Sequence, residues 1–321
     1  MRITNRVMNN NLLLNLNRGL TRLDRINNQL GSKKQINVPS DDPVKAGVIL
    51  RTSSSIRETD QLVRNIGSAE SWLDSSNVVM EDVLAVIHRA KELGVNGASS
   101  HLDETARKAL ADEVAQLHGN LLQLANSTHG GRYLFAGQYT QHKPFEVDDA
   151  DTGSGLPDVK FLPVLRNADG TPKLDEHGAE LAADLNDAMS IDFEIGTGVR
   201  MDVNMKGKEL FEPVFEALQS LYGELVAADP KPDSDVLGKL DNALDGVLRQ
   251  VSELGGKQNR VELAKERLVD LQLNLTKILS EDQDLDYAEA IMELKMEEFA
   301  YRTALSVGAR IIQPTLVDFL R

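Results

Sequence analysis

The stretch LVRNIGSAESWLDSSNVVMEDVLAVIHRA, residues 62–90, decides the fold class of this chain. Apolar or small residues recur in it at alternating spacings of four and three. That spacing averages about 3.5 residues and keeps one seam of a helix facing a partner helix. The pattern therefore predicts a long helix in a coiled coil or bundle, ending at Gly94-Val-Asn-Gly97. The seam consists of Leu62, Ile66, Ala69, Leu73, Ser76, Met80, Val83, Ile87 and Ala90.

Two further segments carry the same period. The first begins after a capping residue, Ser100 or Asp103, and ends at Gly130-Gly131. The second segment contains Gly255-Gly256, which predicts that its helix bends or splits in two at that point. It also carries a second apolar stripe beside the first, which implies that the helix packs on more than one partner. The first seam is Leu110, Val114, Leu117, Leu121 and Leu124. The second seam is Leu240, Leu244, Val247, Val251, Leu254, Gln258, Val261, Leu268, Leu275 and Leu279, with the side stripe Ala264, Leu271 and Ile278.

The middle of the chain differs in kind, because the helical period disappears between Arg132 and Met205. Residues 199–205 alternate apolar and polar side chains, as a strand with one buried face does. Asp169-Gly170 is typical of a hairpin turn. A small β-rich insert follows from these features. Its predicted strands are residues 133–137, 159–165, 191–195 and 199–205.

Both ends of the chain carry apolar stripes at helical spacing, although chain termini are usually frayed and polar. A lone pair of such helices cannot easily offset the entropy of ordering its backbone. We therefore expect these ends to be largely disordered in the free monomer and to fold by packing on neighbouring subunits. The predicted assembly residues are Leu12, Leu16, Leu20, Leu23, Ile26 and Leu30, with Tyr287, Ile291, Leu294, Tyr301, Leu305, Ile312, Leu316 and Phe319.

The charges of the two ends are complementary. Residues 1–40 hold seven basic residues and one acid, giving +6, whereas residues 286–321 hold six acids and four basic residues, giving −2. This predicts that the two terminal helices pack side by side.

A loop at residues 37–43 follows the first helix. In this loop Asp42 is the predicted cap of the next helix, and Pro43 is its predicted first residue. Residues 146–202 carry −10, from fourteen acids and four basic residues, and are expected to lie outermost.

The order of segments predicts a mainly α fold with a small β-rich insert. Its simplest arrangement is an elongated antiparallel coiled-coil or bundle rod of paired N- and C-terminal segments. Residues 1–40 and 286–321 form a terminal coiled-coil assembly domain in this interpretation. Residues 41–136 and 208–285 form a helical rod domain, and residues 137–207 a β-rich outer domain.

Composition narrows the function classes. The net charge of −15 argues against nucleic acid and anionic lipid as partners. There is no run of about 18 apolar residues, so no membrane insertion is expected. The first residues are too polar for a secretory signal, so no cleaved signal peptide is expected. The absence of cysteine excludes disulfides, thiol catalysis and cysteine metal sites.

No motif indicates an enzyme. The six histidines have no metal-binding spacing and are expected on the surface. Asp149-Ala-Asp151-Thr-Gly153 only faintly echoes a calcium loop and is interpreted as an acidic turn. Gly196-Thr-Gly198 lacks the third glycine of a dinucleotide loop and precedes a strand instead of a helix. We therefore predict no catalytic, cofactor-binding or metal residues and no cofactor.

The order of four segments resembles the bacterial flagellin superfamily of axial proteins, along nearly the whole chain. Residues 28–44 resemble the family's turn between terminal and rod helices, and residues 89–97 the end of its first rod helix. Gly131-Arg-Tyr-Leu-Phe-Ala-Gly137, followed by Pro144-Phe145, resembles the branch that joins hook and filament. Residues 312–321 resemble the family's C-terminus.

The resemblance implies a structural subunit of the extracellular flagellum, forming a ring-like homo-oligomer between hook and filament. It implies contacts with other hook-associated proteins and flagellin. It also implies escort by a flagellar export chaperone and passage through the type III export apparatus without a cleaved signal. Phe319-Leu-Arg321 is also flagellin-like, so filament flagellin stays the first alternative. A coiled-coil signalling or adaptor protein is the second.

Overall fold

The computed structural model describes residues 2–98, 103–148, 156–161, 190–227 and 234–312. Helices dominate these ranges, and the strands form three separate two-stranded antiparallel pairs. This confirms the predicted mainly α fold with a small β-rich insert. The elements in order are α1 (Arg2–Ser32), α2 (Pro43–Gly97), α3 (Glu104–Ala125), β1 (Thr128–His129), β2 (Arg132–Tyr133), β3 (Phe145–Asp148), β4 (Asp158–Phe161), β5 (Asp192–Gly196), β6 (Val199–Asp202), α4 (Gly207–Val226), α5 (Ser234–Gln283) and α6 (Tyr287–Ile312).

The chain divides into two compact units. The first unit contains residues 1–60 and 270–321, and the second unit contains residues 61–269. The chain passes from one unit to the other within α2 and returns within α5. No described helix is both long enough and apolar enough to cross a membrane.

The second unit is built on the α2 seam. All nine predicted seam residues are buried, and six of the seven from Ile66 to Ile87 have no exposed surface. Across from them, α5 buries Leu240, Val247, Leu254 and Val261. Lys91 pairs with Asp241 at 2.5 Å and Lys265 with Glu70 at 2.6 Å. The later residue of α2, Lys91, pairs with the earlier residue of α5, Asp241. The two helices are therefore antiparallel.

The glycine pair Gly255-Gly256 neither splits nor ends α5, which is one helix from Ser234 to Gln283. The predicted split is therefore wrong. Each helical glycine costs roughly 1 kcal/mol relative to alanine. The buried side chains of Leu254 and Val261, on either side of the pair, each contribute about 1.5–3 kcal/mol. Burial of the seam therefore outweighs the local preference.

The segment Tyr133–Gly137 is mostly not a strand, contrary to the prediction. Only Arg132 and Tyr133 pair with β1, and the chain then turns, with Gly137 at φ 60°. The turn buries Phe135 edge-on against Phe211 of α4, with ring centroids 4.9 Å apart. Phe145 of β3 packs on the same Phe211 at 5.4 Å. Phe135, which was predicted to lie in a strand, therefore packs against helix α4 instead of forming part of a sheet.

The remaining predicted strands are shorter in the structure. β5 and β6 lie within the predicted strands 191–195 and 199–205 or beside their ends, and they pair as a hairpin through Gly196-Thr-Gly198, with Gly198 at φ 73° in the turn. Residues 203–205 follow β6 without being part of the strand, and β4 ends at Phe161. The predicted strand residues 162–165, the Asp169-Gly170 turn and the acidic turn at 149–153 lie outside the described residues.

His118 is the one described histidine that is fully buried, contrary to the surface position expected from its sequence. It lies on α3 and packs edge-on against Phe215 of α4, with ring centroids 5.2 Å apart. Its Nε2 has no hydrogen-bond partner among the residues that the structure describes. Burial lowers the pKa of His118, and the nearby Asp158 carboxylate only partly opposes that shift.

The buried histidine predicts a pH-dependent stability for the second unit. Above a pH of about 6.5, the ordinary histidine pKa, His118 is neutral in both states and imposes no proton-linked cost. As the pH falls below that value, the unfolded state takes up a proton that the folded state resists, so stability falls. We expect His118→Phe to lose less stability than the wild type between pH 7.5 and pH 5. Urea unfolding followed by the fluorescence of the single tryptophan, Trp72, measures this because Trp72 is buried in the second unit.

The control for this prediction is His88→Phe, because His88 is exposed on α2. That variant should keep the wild-type pH dependence. An identical slope of stability against pH in His118→Phe and the wild type would contradict the prediction.

Candidate assembly interface

The first unit is centred on an antiparallel pair of helices, α1 and α6. On α1, the residues turned toward α6 are Leu12, Leu16, Gly19, Leu23 and Ile26, at alternating spacings of four and three. The matching face of α6 consists of Ala290, Leu294, Glu297, Tyr301, Ala304 and Gly308. Both sets follow the coiled-coil period, so one continuous seam joins the two ends of the chain.

Two glycines let the helix backbones approach closely along this seam. A Cβ atom built on Gly19 would lie 3.4 Å from Cδ2 of Tyr301. One built on Gly308 would lie 2.6 Å from Cδ2 of Leu12. Tyr301 of α6 therefore packs over Gly19 of α1, and Leu12 of α1 packs over Gly308 of α6.

An ion pair fixes the register of α1 against α6. The guanidinium of Arg22 donates to both carboxylate oxygens of Glu297, from Nε at 2.7 Å and from Nη2 at 3.1 Å. This bidentate geometry is more specific than a single contact. The hydrogen bond to Glu297, followed by its charge, raises the pKa of Arg22. The structure thus confirms that the basic end and the acidic end lie side by side.

The connections at the base of this helix pair are also joined. The amide of Gln35 donates to the carbonyl of Gln283 at 2.8 Å, and that of Leu285 to Lys33 at 3.2 Å. Ile36, Ala46 and Ile49 form a small buried cluster with Leu279. The helix α1 ends at Ser32, and Lys33 takes the left-handed conformation at φ 64°.

The loop at residues 37–43 has the predicted capping chemistry. Oδ1 of Asp42 accepts the amides of Val44 and Lys45, each at 3.0 Å, and α2 begins at Pro43. Oδ2 of Asp41 accepts the amides of Asn37 and Val38, each at 3.2 Å. Two carboxylates therefore hold the backbone of this turn through hydrogen bonds.

The predicted assembly residues divide between two surfaces of the helix pair. Leu12, Leu16, Leu23, Leu30, Leu294 and Tyr301 are half-buried, and Ile26 is buried. Leu20, Tyr287, Ile291 and Leu305 stay largely exposed, at 47%, 43%, 48% and 44%. Ile312 ends α6, and its side chain, like Leu316 and Phe319, lies outside the described residues. The half-buried group serves the contact within the chain, and the exposed group flanks it. A role for either group in assembly stays a prediction.

Sequence reasoning missed a second apolar surface on α6. Met292, Met296 and Phe299 are 62%, 65% and 74% exposed. Their i, i+4, i+7 spacing places them on one face, about 150° around the helix from the seam at 100° per residue. We call these three residues the α6 outer stripe. The signal for it lies in the sequence, because the spacing of these three residues follows the same helical period as the terminal stripes.

A groove lies on the opposite side of the pair, along the face of α1 that points away from α6. It has a volume of about 910 Å³ and is lined by α1 residues between Leu14 and Ser32 and by loop residues between Asn37 and Asp41. Leu14 and Val38 supply its exposed apolar surface. Arg18 and Arg25 line it as well. We call this feature the α1 groove.

The arrangement is suited to binding other helices. Within the described ranges there is no group of three or more histidine, aspartate or glutamate side chains that could hold a metal ion. Both terminal helices carry exposed apolar side chains, among them Leu20 on α1 and Phe299 on α6.

Comparison with known protein families identifies the family to which this chain belongs. Residues 3–140 match the bacterial flagellin N-terminal helical region, and residues 237–320 match the bacterial flagellin C-terminal helical region. The two regions together cover most of the chain, and the chain belongs to the bacterial flagellin family. Within that family, the chain is similar to flagellar hook-associated protein 3 of Escherichia coli (strain K12), with 26% identity over 86% of each chain.

Other relatives span the family. Flagellar hook-associated protein 3 of Salmonella typhimurium is 24% identical over 94% of this chain and 96% of its own. Flagellin B of Vibrio anguillarum is 23% identical over 89% of each chain. A relative named as a flagellin therefore matches at an identity similar to that of the hook-associated proteins.

Solved structures share the fold. A putative flagellar hook-associated protein from Vibrio parahaemolyticus superposes with a TM-score of 0.59 at 20% identity, covering 76% of this chain and all of that one. FlgL of Bacillus cereus superposes with a TM-score of 0.54 at 20% identity, covering 72% of this chain and 99% of its own.

Proposed function

We propose that this protein is the structural subunit of the junction between the flagellar hook and the filament. The observation that carries the proposal is the similarity to hook-associated protein 3 of Salmonella typhimurium over 94% of this chain and 96% of that protein. The helix pair of the two chain ends supports the proposal. α1 and α6 pack on each other along one seam, and both helices also carry apolar side chains that stay exposed outside that seam.

The proposal includes the layout of the subunit. Residues 1–40 and 286–321 form the terminal assembly domain, residues 41–136 and 208–285 the rod, and residues 137–207 the outer domain. The observed division at residues 60 and 270 adds to the first of these the parts of α2 and α5 that pack around Ile36, Ala46 and Ile49. In the free monomer the terminal helices are largely disordered and fold on neighbouring subunits.

The partners follow from the same proposal. The protein forms a ring of identical subunits and contacts other hook-associated proteins and flagellin. It lies on the outside of the cell in the flagellum. An export chaperone escorts it to the type III export apparatus, which it passes without a cleaved signal. It binds no nucleic acid, inserts in no membrane and catalyses no reaction.

Deletion of the gene tests the proposal. We expect the deletion strain to build hooks without filaments and to release flagellin into the medium, because filament subunits then have no surface on which to start. Electron microscopy of the cells and immunoblots of the medium measure this, and a plasmid copy of the gene is the control that should restore filaments. Attached filaments of normal length in the deletion strain would contradict the junction role.

Filament flagellin is the second candidate, favoured by the match to Flagellin B over 89% of each chain. The two functions differ in what the purified protein does alone. A filament flagellin polymerises into long filaments, whereas a junction subunit does not. Long filaments of this protein in sedimentation and electron microscopy would favour the alternative.

A further inference from the structure

His118 is a buried base that the proposed function does not use. Its side chain on α3 is 3% exposed, and its Nε2 has no hydrogen-bond partner among the described residues. Burying a polar atom without a partner costs free energy, and a positive charge on the same ring would cost more. The contacts around the ring therefore decide which part of the unit opens when the ring takes up a proton.

Two elements besides α3 enclose the ring of His118. α4 packs on it through Phe215, edge-on, with ring centroids 5.2 Å apart. β4 brings the carboxylate of Asp158 close enough to act on the ring, and Nε2 of Gln219, on α4, donates to that carboxylate at 2.8 Å. β3 completes this side, since Phe145 packs on the same Phe215 with ring centroids 6.0 Å apart.

The two enclosing elements differ in how firmly they are held. α4 buries nine of its residues, whereas among the described side chains of β3 and β4 only Phe145 is fully buried. The strand pair is otherwise held by polar contacts. The side chain of Asn126 bonds the amide and the carbonyl of Phe145 at 3.0 and 3.1 Å, and Gln219 bonds Asp158. Local opening takes the route that breaks the fewest buried contacts, so β3 and β4 separate from the helices before α3 separates from α4.

The charges around the ring leave burial as the main effect. Burial lowers the pKa of His118, and among the described residues Asp158 is the one charge that opposes this shift. On α3 itself, Glu113 is paired with Arg89 of α2 at 2.7 Å. The charged side chains flanking this region on the packed elements are exposed, namely Asp82 and Arg89 on α2, Glu146 on β3, Lys160 on β4, and Glu212 and Glu216 on α4.

We propose that the β3–β4 strand pair is an acid-sensitive cover over His118, which detaches from α3 and α4 when the ring takes up a proton. The helices of the second unit stay packed during this opening. The inference lies outside the proposed function, because it concerns how the second unit responds to acid and not where the subunit assembles. It also assigns the effect of acid to one contact, in addition to the loss of stability of the whole unit.

Thiol labelling of the full-length protein tests the opening, and the natural chain offers no competing thiol. Leu156→Cys places a thiol directly before β4, where the natural side chain is 8% exposed. Its rate of labelling by dithiodipyridine, a reagent that works in acid, is divided by the rate for the exposed Glu146→Cys in the same buffer. This ratio measures the open fraction. We expect it to rise about 10- to 30-fold between pH 7.5 and pH 5, because each opening is linked to one proton below about pH 6.5.

The matched control adds His118→Phe to Leu156→Cys, and His118→Leu is a second neutral replacement should the first disturb folding. In both, the ratio should stay constant with pH. Asp158→Asn keeps an oxygen for Gln219 but removes the charge that favours the protonated ring. In that variant the ratio should rise at least as steeply as in the parent, and a shallower rise would count against the proposal.

Trp72 fluorescence in the same samples shows whether the second unit stays folded, because Trp72 is buried there. A ratio that does not change with pH overturns the proposal, as does an equal rise in the His118 variants. A rise that coincides with loss of the folded Trp72 signal overturns it too, since the whole unit would then have unfolded. None of these outcomes bears on the junction role, which the gene deletion tests separately.

Discussion

Leu20→Asp and Leu305→Asp are each expected to abolish incorporation of the subunit into flagella while leaving the second unit folded. Leu20 is 47% exposed on α1 and Leu305 is 44% exposed on α6, so nearly half of each side chain lies outside the seam within the chain. If neighbouring subunits cover that half, the variant must bury a carboxylate in an apolar contact, which costs several kcal/mol. A loss of about 4 kcal/mol lowers the affinity at each contact roughly a thousandfold.

The measurement is an immunoblot for the subunit in isolated flagella, with filament counts by electron microscopy. Trp72 fluorescence during urea unfolding reports whether the second unit keeps its wild-type stability. Leu20→Met and Leu305→Met are the controls, because they keep an apolar side chain of similar volume at the same positions. Normal filaments on cells that make only the Leu20→Asp variant would show that Leu20 is not part of the assembly surface. The same result with Leu305→Asp would exclude Leu305.

The strong helical periods were predictable from the sequence because one physical effect dominates them. The α2 seam carries its apolar residues at a single period, and each is buried. The pairing of the chain ends was predictable for a related reason, since opposite charges flank matching seams. Arg22 and Glu297 are the individual residues through which that charge pattern acts.

The α4 helix was harder to predict. It buries Leu210, Phe211, Val214, Phe215, Leu218 and Leu221. However, Pro213 lies within it, and proline is a signal for the end of a helix. Its packing against α3 overrides that local signal. The burial of His118 depends on the same contact, since it packs on Phe215. A sequence that does not show which helices meet cannot show that a histidine lies between them.

The α6 outer stripe and the α1 groove were predictable to different degrees. The α6 outer stripe follows from helical spacing alone and could have been found. The α1 groove could not, because it forms only when the loop at residues 37–41 packs beside α1. That loop position depends on the carboxylate of Asp41, which accepts hydrogen bonds from the backbone amides of Asn37 and Val38, and these bonds are visible only in three dimensions.

Val83→Asp is expected to abolish cooperative folding of the second unit. Val83 has no exposed surface and lies at the centre of the α2 seam. The substitution removes a buried side chain worth about 1.5–3 kcal/mol and adds an unpaired buried carboxylate that costs several kcal/mol more. The sum is comparable to the whole stability of a typical domain, about 5–15 kcal/mol. Circular dichroism and Trp72 fluorescence during urea unfolding measure the loss.

Val78→Asp is the matched control, since it makes the same change five positions earlier on the same helix, where the side chain is 60% exposed. Its effect should stay within about 0.5 kcal/mol, as is usual for surface substitutions. Acid gives a second test, because burial raises the pKa of the introduced carboxyl and makes its protonated form the tolerated one. The defect of Val83→Asp should therefore shrink as the pH falls toward about 4, where the ordinary aspartate pKa lies. Equal stabilities of the two variants at neutral pH would mean that the α2 seam does not form the core of this unit.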